Sequence, residues 1–324
     1  YIILNRNKFT ILVTGASGFI GRPLITQFLK EGHRVIGVVR KRSNYFNSNL
    51  YEDFVIKDIC EDFRNLKFDK IDIIVHLAAI THSKYKNYNK YKNANVNGIK
   101  NVINLGIKVN VKKIIMISSI KVNGEGFANN SLKYSENSPL KPKDEYGLSK
   151  LESENILIKQ CINNNISYII LRPSLVYGSG VKGNLLSLMK YIDRGIPLPL
   201  LSSNNKRSIL SLNNLINAII LSLYDKRADN NVFLISDDLS IKPGDLYIAI
   251  AEKLNKNLYT IKINKILLKF LLWPLGKIKL LEKISNSLII DNTKIKEKLG
   301  WKSIITFDDE IKNMVNKYKQ GDES

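Results

Sequence analysis

The stretch TGASGFIG at residues 14–21 restricts the fold more than any other part of the chain. Its glycines, Gly15, Gly18 and Gly21, recur at every third position, after the apolar run FTILV and before an amphipathic stretch that ends at Gly32. Glycine in such a turn permits a tight bend and lets the backbone approach a pyrophosphate, while the following helix offers N–H groups to the anion. The pattern therefore predicts a dinucleotide-binding strand, turn and helix.

Runs rich in valine and isoleucine alternate with helical patterns through about residue 175. These runs are FTILVTG, HRVIGVVR, DFVIKDI, IDIIVHLAA, VKKIIMISS and SYIILRPS. Buried strands separated by helices predict a parallel sheet covered on both faces. We expect an α/β fold with a Rossmann-type doubly wound parallel sheet over residues 8–175, and a smaller C-terminal α/β lobe over residues 176–324. The run NVFLISD is a candidate to return to the main sheet.

The formal net charge of +21 is compatible with binding to nucleic acid, an anionic membrane or phosphorylated small molecules. The lysines are scattered, and their densest cluster is KYKNYNKYK at residues 84–92. Its tyrosines recur at every third position, which fits a base-stacking surface or, as we favour, one face of a helix. We therefore expect no nucleic-acid partner.

Other segments argue against a secreted, membrane-spanning or metal-binding protein. The apolar stretch that starts at Ile266 is interrupted by Lys269, Pro274 and Lys277, well short of the ~20 residues that span a bilayer. A packed helix is favoured there over a basic membrane-surface helix. The chain starts without a secretory signal pattern, and its two cysteines and three histidines lack metal-ligand spacing. We expect a cytoplasmic protein with no membrane span and no metal.

Arg40 ends the second predicted strand, at the place where a carboxylate would bind the adenosine ribose of the dinucleotide. Lys41 and Arg42 follow it. A guanidinium suits a 2′-phosphate, whereas a carboxylate would repel one. The sequence therefore favours NADP(H), with NAD(H) as the alternative if these are solvated charges in a basic protein.

Tyr146 and Lys150 are four residues apart in EYGLSK, at the start of a predicted helix. Side chains at this spacing share one helix face, and a nearby ammonium favours the phenolate form of tyrosine. Such a pair can move a proton at a substrate hydroxyl or carbonyl. Ser118 and Ser119 end the fifth predicted strand, where an α/β sheet would present a third group to hold the reacting oxygen.

Together these motifs resemble the extended short-chain dehydrogenases/reductases, in the branch of nucleotide-sugar epimerases, dehydratases and reductases. KDI, HLAA, NVNGIKN, SSIKVNG, LRPSLVYG and LGW extend the resemblance over nearly the whole chain. It implies that Ser119, Tyr146 and Lys150 are catalytic. It further implies a cofactor site formed by Gly15, Ser17, Gly18, Phe19, Ile20, Gly21, Arg40, Asp58, Ile59, Leu77, Ala78, Ala79, Asn95, Tyr146, Lys150 and Pro173.

The same resemblance implies a UDP-sugar substrate. Asn184 and Arg207 match residues that contact the nucleotide diphosphate, and Ser119 would also touch the sugar. The chain departs from the family pattern at Asn123, at Asn213 and Asn214, and at Leu175. Ile120 and Lys121 follow Ser119 where dehydratases of this superfamily carry acids, which argues against dehydration.

Two enzymatic hypotheses remain open. A 4-ketoreductase would use exchangeable NAD(P)H to reduce a UDP-4-keto-6-deoxy-N-acetylhexosamine, forming UDP-N-acetylquinovosamine for polysaccharide or lipopolysaccharide synthesis. A UDP-glucose or UDP-N-acetylhexosamine 4-epimerase would instead retain NAD. Arg40 favours the reductase. A non-catalytic dinucleotide- or RNA-binding scaffold is a remote third hypothesis, and the family resemblance implies a homodimer.

Overall fold

The computed structural model describes residues 7–42, 45–60, 63, 68, 70–81, 88–129, 131–201, 205–263 and 285–321. Its strands are β1 Thr10–Thr14, β2 Arg34–Val39, β3 Tyr51–Val55, β4 Ile73–His76, β5 Lys113–Ile117, β6 Ser167–Pro173, β7 Leu175–Tyr177, β8 Leu198–Leu201, β9 Arg207–Ser211, β10 Asn231–Ile235, β11 Ser240–Ile241 and β12 Thr260–Ile263.

The α-helices of the described residues are α1 Gly21–Lys30, α2 Tyr88–Tyr91, α3 Gly98–Lys108, α4 Glu145–Asn163, α5 Asn184–Asp193, α6 Leu212–Tyr224, α7 Pro243–Leu254, α8 Thr293–Leu299 and α9 Phe307–Lys319. A π-helix, Lys92–Asn97, joins α2 to α3. Short 3-10 turns cover Ile120–Val122 and Lys226–Ala228.

Seven strands form one sheet in the order β10, β6, β5, β4, β1, β2, β3. The strands from β6 to β3 pair in parallel, and Leu12 of β1 lies opposite both Ile36 of β2 and Ile74 of β4. The order reverses next to β1, so a crevice opens beyond its carboxyl end, where sheets of this kind bind ligands. The Rossmann-type α/β fold is confirmed, and NVFLISD supplies the edge strand β10.

The core of this sheet is apolar because its strands carry branched side chains on both faces. Leu12, Ile74 and Ile114 are at most 1% exposed, and they pack in one cluster with Val102 of α3 and Leu157 of α4. Burial of one such side chain contributes about 1.5–3 kcal/mol. The strand ends that carry the candidate site are therefore held on a rigid support.

The chain divides into two compact units, each discontinuous in sequence. The first is drawn from Tyr1–Val122, Leu140–Arg172 and Ile219–Phe233, and contains most of the seven-stranded sheet. The second is drawn from Asn123–Pro139, Pro173–Ala218 and Leu234–Ser324. It contains a three-stranded sheet in the order β11, β9, β7 and a two-stranded sheet of β12 and β8.

Two sequence predictions involve residues outside the described ranges. The apolar stretch at 266–281 lies there entirely, as does the start of the KYKNYNKYK cluster. Of that cluster, Tyr91 is buried and the Tyr88 hydroxyl donates a hydrogen bond to Glu152 on α4, so these two tyrosines pack inward as predicted for a helix face. Within the described ranges, no helix combines the length and apolar character needed to cross a bilayer.

Candidate active site

The glycine turn lies between β1 and α1, and a side chain at Gly15 or Gly21 would collide with the backbone. Gly15 has a φ of +70°, and a Cβ there would lie 2.9 Å from the Ala78 nitrogen. A Cβ on Gly21 would lie 2.3 Å from the Gly15 carbonyl oxygen, and the Gly18 N–H donates to the same oxygen at 2.9 Å. The turn is therefore as tight as the sequence predicts.

The start of α1 is favourable to an anion. Its N-cap residue, Ile20, offers no side-chain acceptor to the first helical N–H groups, and the first turn of α1 holds no acidic residue. The positive end of the helix dipole adds to this preference. Of the remaining turn residues, Ser17 is exposed and Phe19 is partly buried.

Residues after β4 form a second wall beside the turn. His76 is buried, its Nδ1 lies 2.8 Å from the Thr14 hydroxyl, and that hydroxyl accepts the Ala78 N–H at 3.2 Å. The carboxyl ends of β4 and β1 are thereby tied together. Burial, together with the charge of Lys150, lowers the pKa of His76 to about 3, so the imidazole is neutral at physiological pH. Leu77, Ala78 and Ala79 are partly buried there.

Asn95 connects this wall to α4. It lies in the π-helix, is 1% exposed, and exchanges hydrogen bonds with the Ile80 backbone at 2.9 and 3.2 Å. Its side-chain amide also donates to the Ser149 hydroxyl at 2.9 Å, and Ser149 lies next to Lys150. π-Helical turns occur often at functional sites because they redirect a side chain. Here the turn directs Asn95 inward.

Charged residues surround the carboxyl ends of β2 and β3. Arg40, Lys41 and Arg42 are all exposed directly after β2. After β3, Asp58 is exposed and accepts the Cys60 N–H at 3.0 Å, while Ile59 is partly buried. The sequence predicts that these residues contact the adenosine end of a dinucleotide. The structure places them after the carboxyl ends of β2 and β3, the side of the sheet on which that contact would be made.

Helix α4 holds Tyr146 in its first turn. The Asp144 carboxylate caps the helix by accepting the Gly147 N–H at 2.8 Å. A Cβ on Gly147 would lie 2.7 Å from the Lys121 carbonyl oxygen, so only glycine lets the helix start approach the segment after Ser119 this closely. The tyrosine and the serine are thereby brought together from separate elements.

The Ser119 hydroxyl is near enough to Tyr146 to lower the pKa of the phenol. The Ser119 hydroxyl also accepts the Lys121 N–H at 3.2 Å. Its neighbour Ser118 is buried, and its hydroxyl has no hydrogen-bond partner among the described residues. Of the two serines, Ser119 is therefore the one that influences Tyr146.

Lys150 lies one turn along α4 from Tyr146 and is only 1% exposed. Its Nζ donates to the Ile117 carbonyl oxygen, at the end of β5, at 2.7 Å. Burial lowers the pKa of Lys150 to about 8, and the carboxylate of Glu154 acts in the opposite direction. The lysine is thus a fixed amine that still carries a proton at neutral pH.

Glu154 forms a buried ion pair with Arg172, and their side chains are 1% and 5% exposed. The guanidinium donates two bonds, from Nε at 3.0 Å and from Nη2 at 2.6 Å, to the two carboxylate oxygens. A two-point contact of this kind fixes both groups in orientation. The pair anchors the third turn of α4 to β6 and places an anion near Lys150.

Tyr146 is partly buried, and neighbouring groups shift its pKa in opposite directions. Burial raises the pKa of Tyr146 to about 12, and Asp144 and Tyr91 also raise it. Lys121 and the Ser119 hydroxyl lower it. A phenol beside a hydroxyl and a cation is an arrangement that can pass a proton to a substrate oxygen.

The second unit contains the remaining predicted residues. Pro173 is buried at the end of β6, Asn184 is exposed as the first residue of α5, and Arg207 is partly buried as the first residue of β9. The Arg207 Nη2 donates to the Asn286 carbonyl oxygen at 3.5 Å. Leu175, a departure from the family pattern, is 53% exposed.

The asparagines that depart from the family pattern have structural partners. Asn123 is buried and donates to a backbone oxygen. The side-chain amide of Asn213 donates to buried Glu310 at 2.8 Å, and that of Asn214 donates to Asp237 at 2.7 Å. These side chains therefore fix the second unit internally, and their packing explains why they are amides.

Sequence reasoning singled out no role for Asp144, Glu154 or Arg172, and used Lys121 only as an argument against dehydration. The sequence does contain a recognisable pattern for Asp144 and Glu154. Asp144 is an N-cap residue directly before a helix, and Glu154 is four positions after Lys150 on the same face. Nothing in the sequence pairs Glu154 with Arg172 or places Lys121 beside Tyr146.

Residues 11–236 match the NAD dependent epimerase/dehydratase family. UDP-glucose 4-epimerase of Vibrio cholerae is 34% identical over 320 residues, which cover 96% of each chain. dTDP-4-dehydro-6-deoxyglucose reductase of Escherichia coli is 27% identical over 336 residues, which cover 96% of this chain and 98% of the reductase.

Solved structures of low sequence identity share the fold. UDP-glucuronic acid 4-epimerase from Bacillus cereus, in complex with NAD, superposes with a TM-score of 0.78 at 22% identity and covers 96% of this chain and 99% of its own. The Bordetella bronchiseptica enzyme WbmG, in complex with NAD and UDP, gives a TM-score of 0.78 at 19% identity, with coverage of 98% and 97%.

Proposed function

The chain belongs to the NAD dependent epimerase/dehydratase family, and on that premise we propose that it is a 4-ketoreductase of UDP-sugars. Its substrate would be a UDP-4-keto-6-deoxy-N-acetylhexosamine and its product UDP-N-acetylquinovosamine, a precursor for polysaccharide. The family assignment supports a nucleotide-sugar oxidoreductase or epimerase. The choice of reduction rests on a narrower observation.

That observation is Arg40, exposed with Lys41 and Arg42 at the carboxyl end of β2. A guanidinium at the adenosine ribose favours a 2′-phosphate, and hence NADP(H) over NAD(H). An exchangeable phosphorylated reductant suits net reduction, whereas an epimerase must keep its cofactor through both half-reactions. The glycine turn and the positive end of the α1 dipole would hold the pyrophosphate.

We assign roles to the chain's own residues from the family pattern, and their positions support the assignment. When bound, NADPH supplies the hydride that reduces the C4 carbonyl. Tyr146 donates its phenolic proton to the carbonyl oxygen, and the nearby Ser119 hydroxyl holds that oxygen in place. Lys150, fixed by the Ile117 carbonyl, supplies positive charge and a donor for the nicotinamide ribose.

We assign the UDP diphosphate to Arg207 and Asn184, keeping the division into a cofactor lobe at 8–175 and a substrate lobe at 176–324. Arg207 supports this because a guanidinium binds diphosphate oxygens through two parallel donors. Asn184 supports it as an exposed amide at the start of α5. Alanine at either position should raise the KM for the UDP-sugar and leave NADPH binding unchanged.

A 4-epimerase is the second candidate, favoured by the full-length similarity to the epimerase of Vibrio cholerae. Such an enzyme would use Ser119, Tyr146 and Lys150 in the same roles. It would retain NAD and let the keto sugar turn before hydride returns. The two candidates therefore differ in cofactor exchange, which an experiment can follow directly.

The decisive experiment releases and identifies any dinucleotide that co-purifies with the protein. It then follows NADPH absorbance after addition of a UDP-4-keto-6-deoxy-N-acetylhexosamine. We expect one NADPH consumed for each sugar reduced. Tightly bound NAD, no net consumption of NADPH, and interconversion of UDP-glucose or UDP-N-acetylhexosamine C4 epimers would replace the reductase with the epimerase.

We further propose a homodimer that pairs through α3 and α4. Leu148 and Ile162 on α4 support it, because they are 46% and 61% exposed although the opposite face of the same helix is buried. Light scattering should give twice the mass of one chain. Leu148→Glu with Ile162→Glu should give the mass of one chain, and a monomeric wild type would overturn the assignment.

A further inference from the structure

Lys121 lies against the ring of Tyr146. It belongs to the 3-10 turn that follows Ser119, and its Nζ is 5.6 Å from the centroid of the Tyr146 ring. The same Nζ forms an ion pair with the carboxylate of Asp144, which also caps α4. The ammonium is therefore held over the phenol by an anion that is itself fixed.

The charged and titratable groups that face Tyr146 come from three directions. Lys121 lies in the turn after β5, Asp144 lies before α4, and Tyr91 of α2 places its ring 6.3 Å away. Lys150 shares the helix of Tyr146, and its Nζ is bonded to a backbone oxygen. Lys121 is thus a cation that faces the phenol ring, and it lies outside the YxxxK motif.

The Lys121 and Asp144 side chains are 26% and 34% exposed. Ion pairs that remain open to solvent contribute little to folding. The helix does not need the pair either, because one oxygen of Asp144 caps α4 while the other binds Lys121. The ion pair between Lys121 and Asp144 therefore affects the electrostatic potential at Tyr146 more than the stability of the fold.

We propose that Lys121 is a positioning residue that acts through Tyr146: its ammonium, held by Asp144, stabilises the phenolate and so sets the pH range in which Tyr146 exchanges its proton. The inference rests on the proposed function only in taking Tyr146 as the proton donor. It also explains why a lysine stands where dehydratases of the superfamily carry an acid. An acid at that position would destabilise the phenolate.

The two partners give opposite predictions. Lys121→Met removes the cation and leaves Asp144 facing the phenol, so the pKa of Tyr146 should rise by about one unit. Asp144→Asn keeps a good N-cap residue but removes the anion, so the pKa of Tyr146 should fall. Lys121→Arg should preserve the wild-type value. Lys141→Met, at an exposed lysine near the same helix, is the matched control and should have no effect.

The test does not depend on turnover. We would place 3,5-difluorotyrosine at position 146, because fluorination brings the phenol into an accessible pH range, and titrate it by 19F NMR in each variant. Opposite shifts for Lys121→Met and Asp144→Asn support the inference, since general disruption would move both in one direction. Shifts within about 0.2 unit of the control, or shifts of the same sign, overturn it.

A turnover assay of the same variants separates this inference from the proposed reaction. The alkaline limb of the activity profile belongs to Lys150, whose pKa is about 8, and not to Tyr146, whose pKa is about 12, so the acidity of Tyr146 is read from the 19F titration alone. If the 19F shifts appear but no UDP-sugar is reduced or epimerised, the proposed reaction is wrong and the role of Lys121 stands. If reduction proceeds and no 19F shift appears, the reaction stands and the role of Lys121 is refuted.

Discussion

Replacing Glu154 with glutamine tests whether the buried ion pair supports the candidate site. The Glu154 side chain is 1% exposed and accepts two bonds from Arg172, which is 5% exposed. Removal of one partner of a buried pair leaves the other charge uncompensated and destabilises a protein by about 3–5 kcal/mol. Glutamine keeps one acceptor oxygen, so we expect a loss near the lower limit, about 3 kcal/mol.

A matched control exists on the surface. Glu52 pairs with Arg34 at 3.1 Å, and both side chains are 51% exposed. Glu52→Gln should change the free energy of unfolding by about 0–1 kcal/mol, because exposed pairs are screened by water. Urea denaturation followed by circular dichroism gives both values from the midpoint and slope. A loss for Glu154→Gln within about 1 kcal/mol of the control would refute the reasoning.

The same variant should also change the acidity of Lys150. Burial lowers the pKa of Lys150, whereas the Glu154 carboxylate raises it. Loss of this carboxylate should therefore lower the pKa of Lys150 below about 8. Lys150 would then lose its charge at a lower pH, and the alkaline limb of the activity profile should move down. An unchanged profile alongside reduced stability would limit Glu154 to a structural role.

Four further predictions concern the candidate site directly. Tyr146→Phe should lower turnover by about 100-fold or more with little change in NADPH affinity, because the proton donor is lost; near-full activity would exclude Tyr146 from catalysis. Arg40→Asp should shift the kcat/KM preference from NADPH toward NADH, and an unchanged preference would mean that another group contacts the ribose phosphate. Gly21→Ala should abolish dinucleotide binding in a fluorescence titration, because its Cβ would lie 2.3 Å from the Gly15 oxygen; normal affinity would contradict the geometry. Because the pKa of Lys150 is lowered to about 8 in the folded protein, the unfolded chain binds more protons between that pH and about 10.5, so stability should rise across this interval. Lys150→Met should remove that slope, and an equal slope in both proteins would contradict it.

Local patterns were sufficient for the long elements of the first unit. The glycine turn, the buried strands and the long helix α4 each carry their signal within a few residues, because strand burial and helix periodicity are local properties. The run DFVIKDI was less informative. The strand there is β3, Tyr51–Val55. Its pairing with β2, in which Tyr51 lies opposite Val35, decides which residues form the strand.

Short strands of the second unit carried no comparable signal. β7, β8, β11 and β12 have two to four residues each, too few for a periodic pattern. They exist because a partner strand completes their hydrogen bonds, and that partner is distant in sequence, as when β12 pairs with β8. The π-helix that directs Asn95 inward was also not predicted from local patterns.

The sequence by itself determined the chemistry available at the site. The motif order supplied Ser119, Tyr146 and Lys150, and the end of β2 supplied Arg40. Only the tertiary structure decided the electrostatic surroundings of these groups. It brings Lys121 to Asp144 across 23 residues and Arg172 to Glu154 across 18, and it buries Lys150. A charge acts according to distance and exclusion of water, and neither quantity exists until the chain is folded.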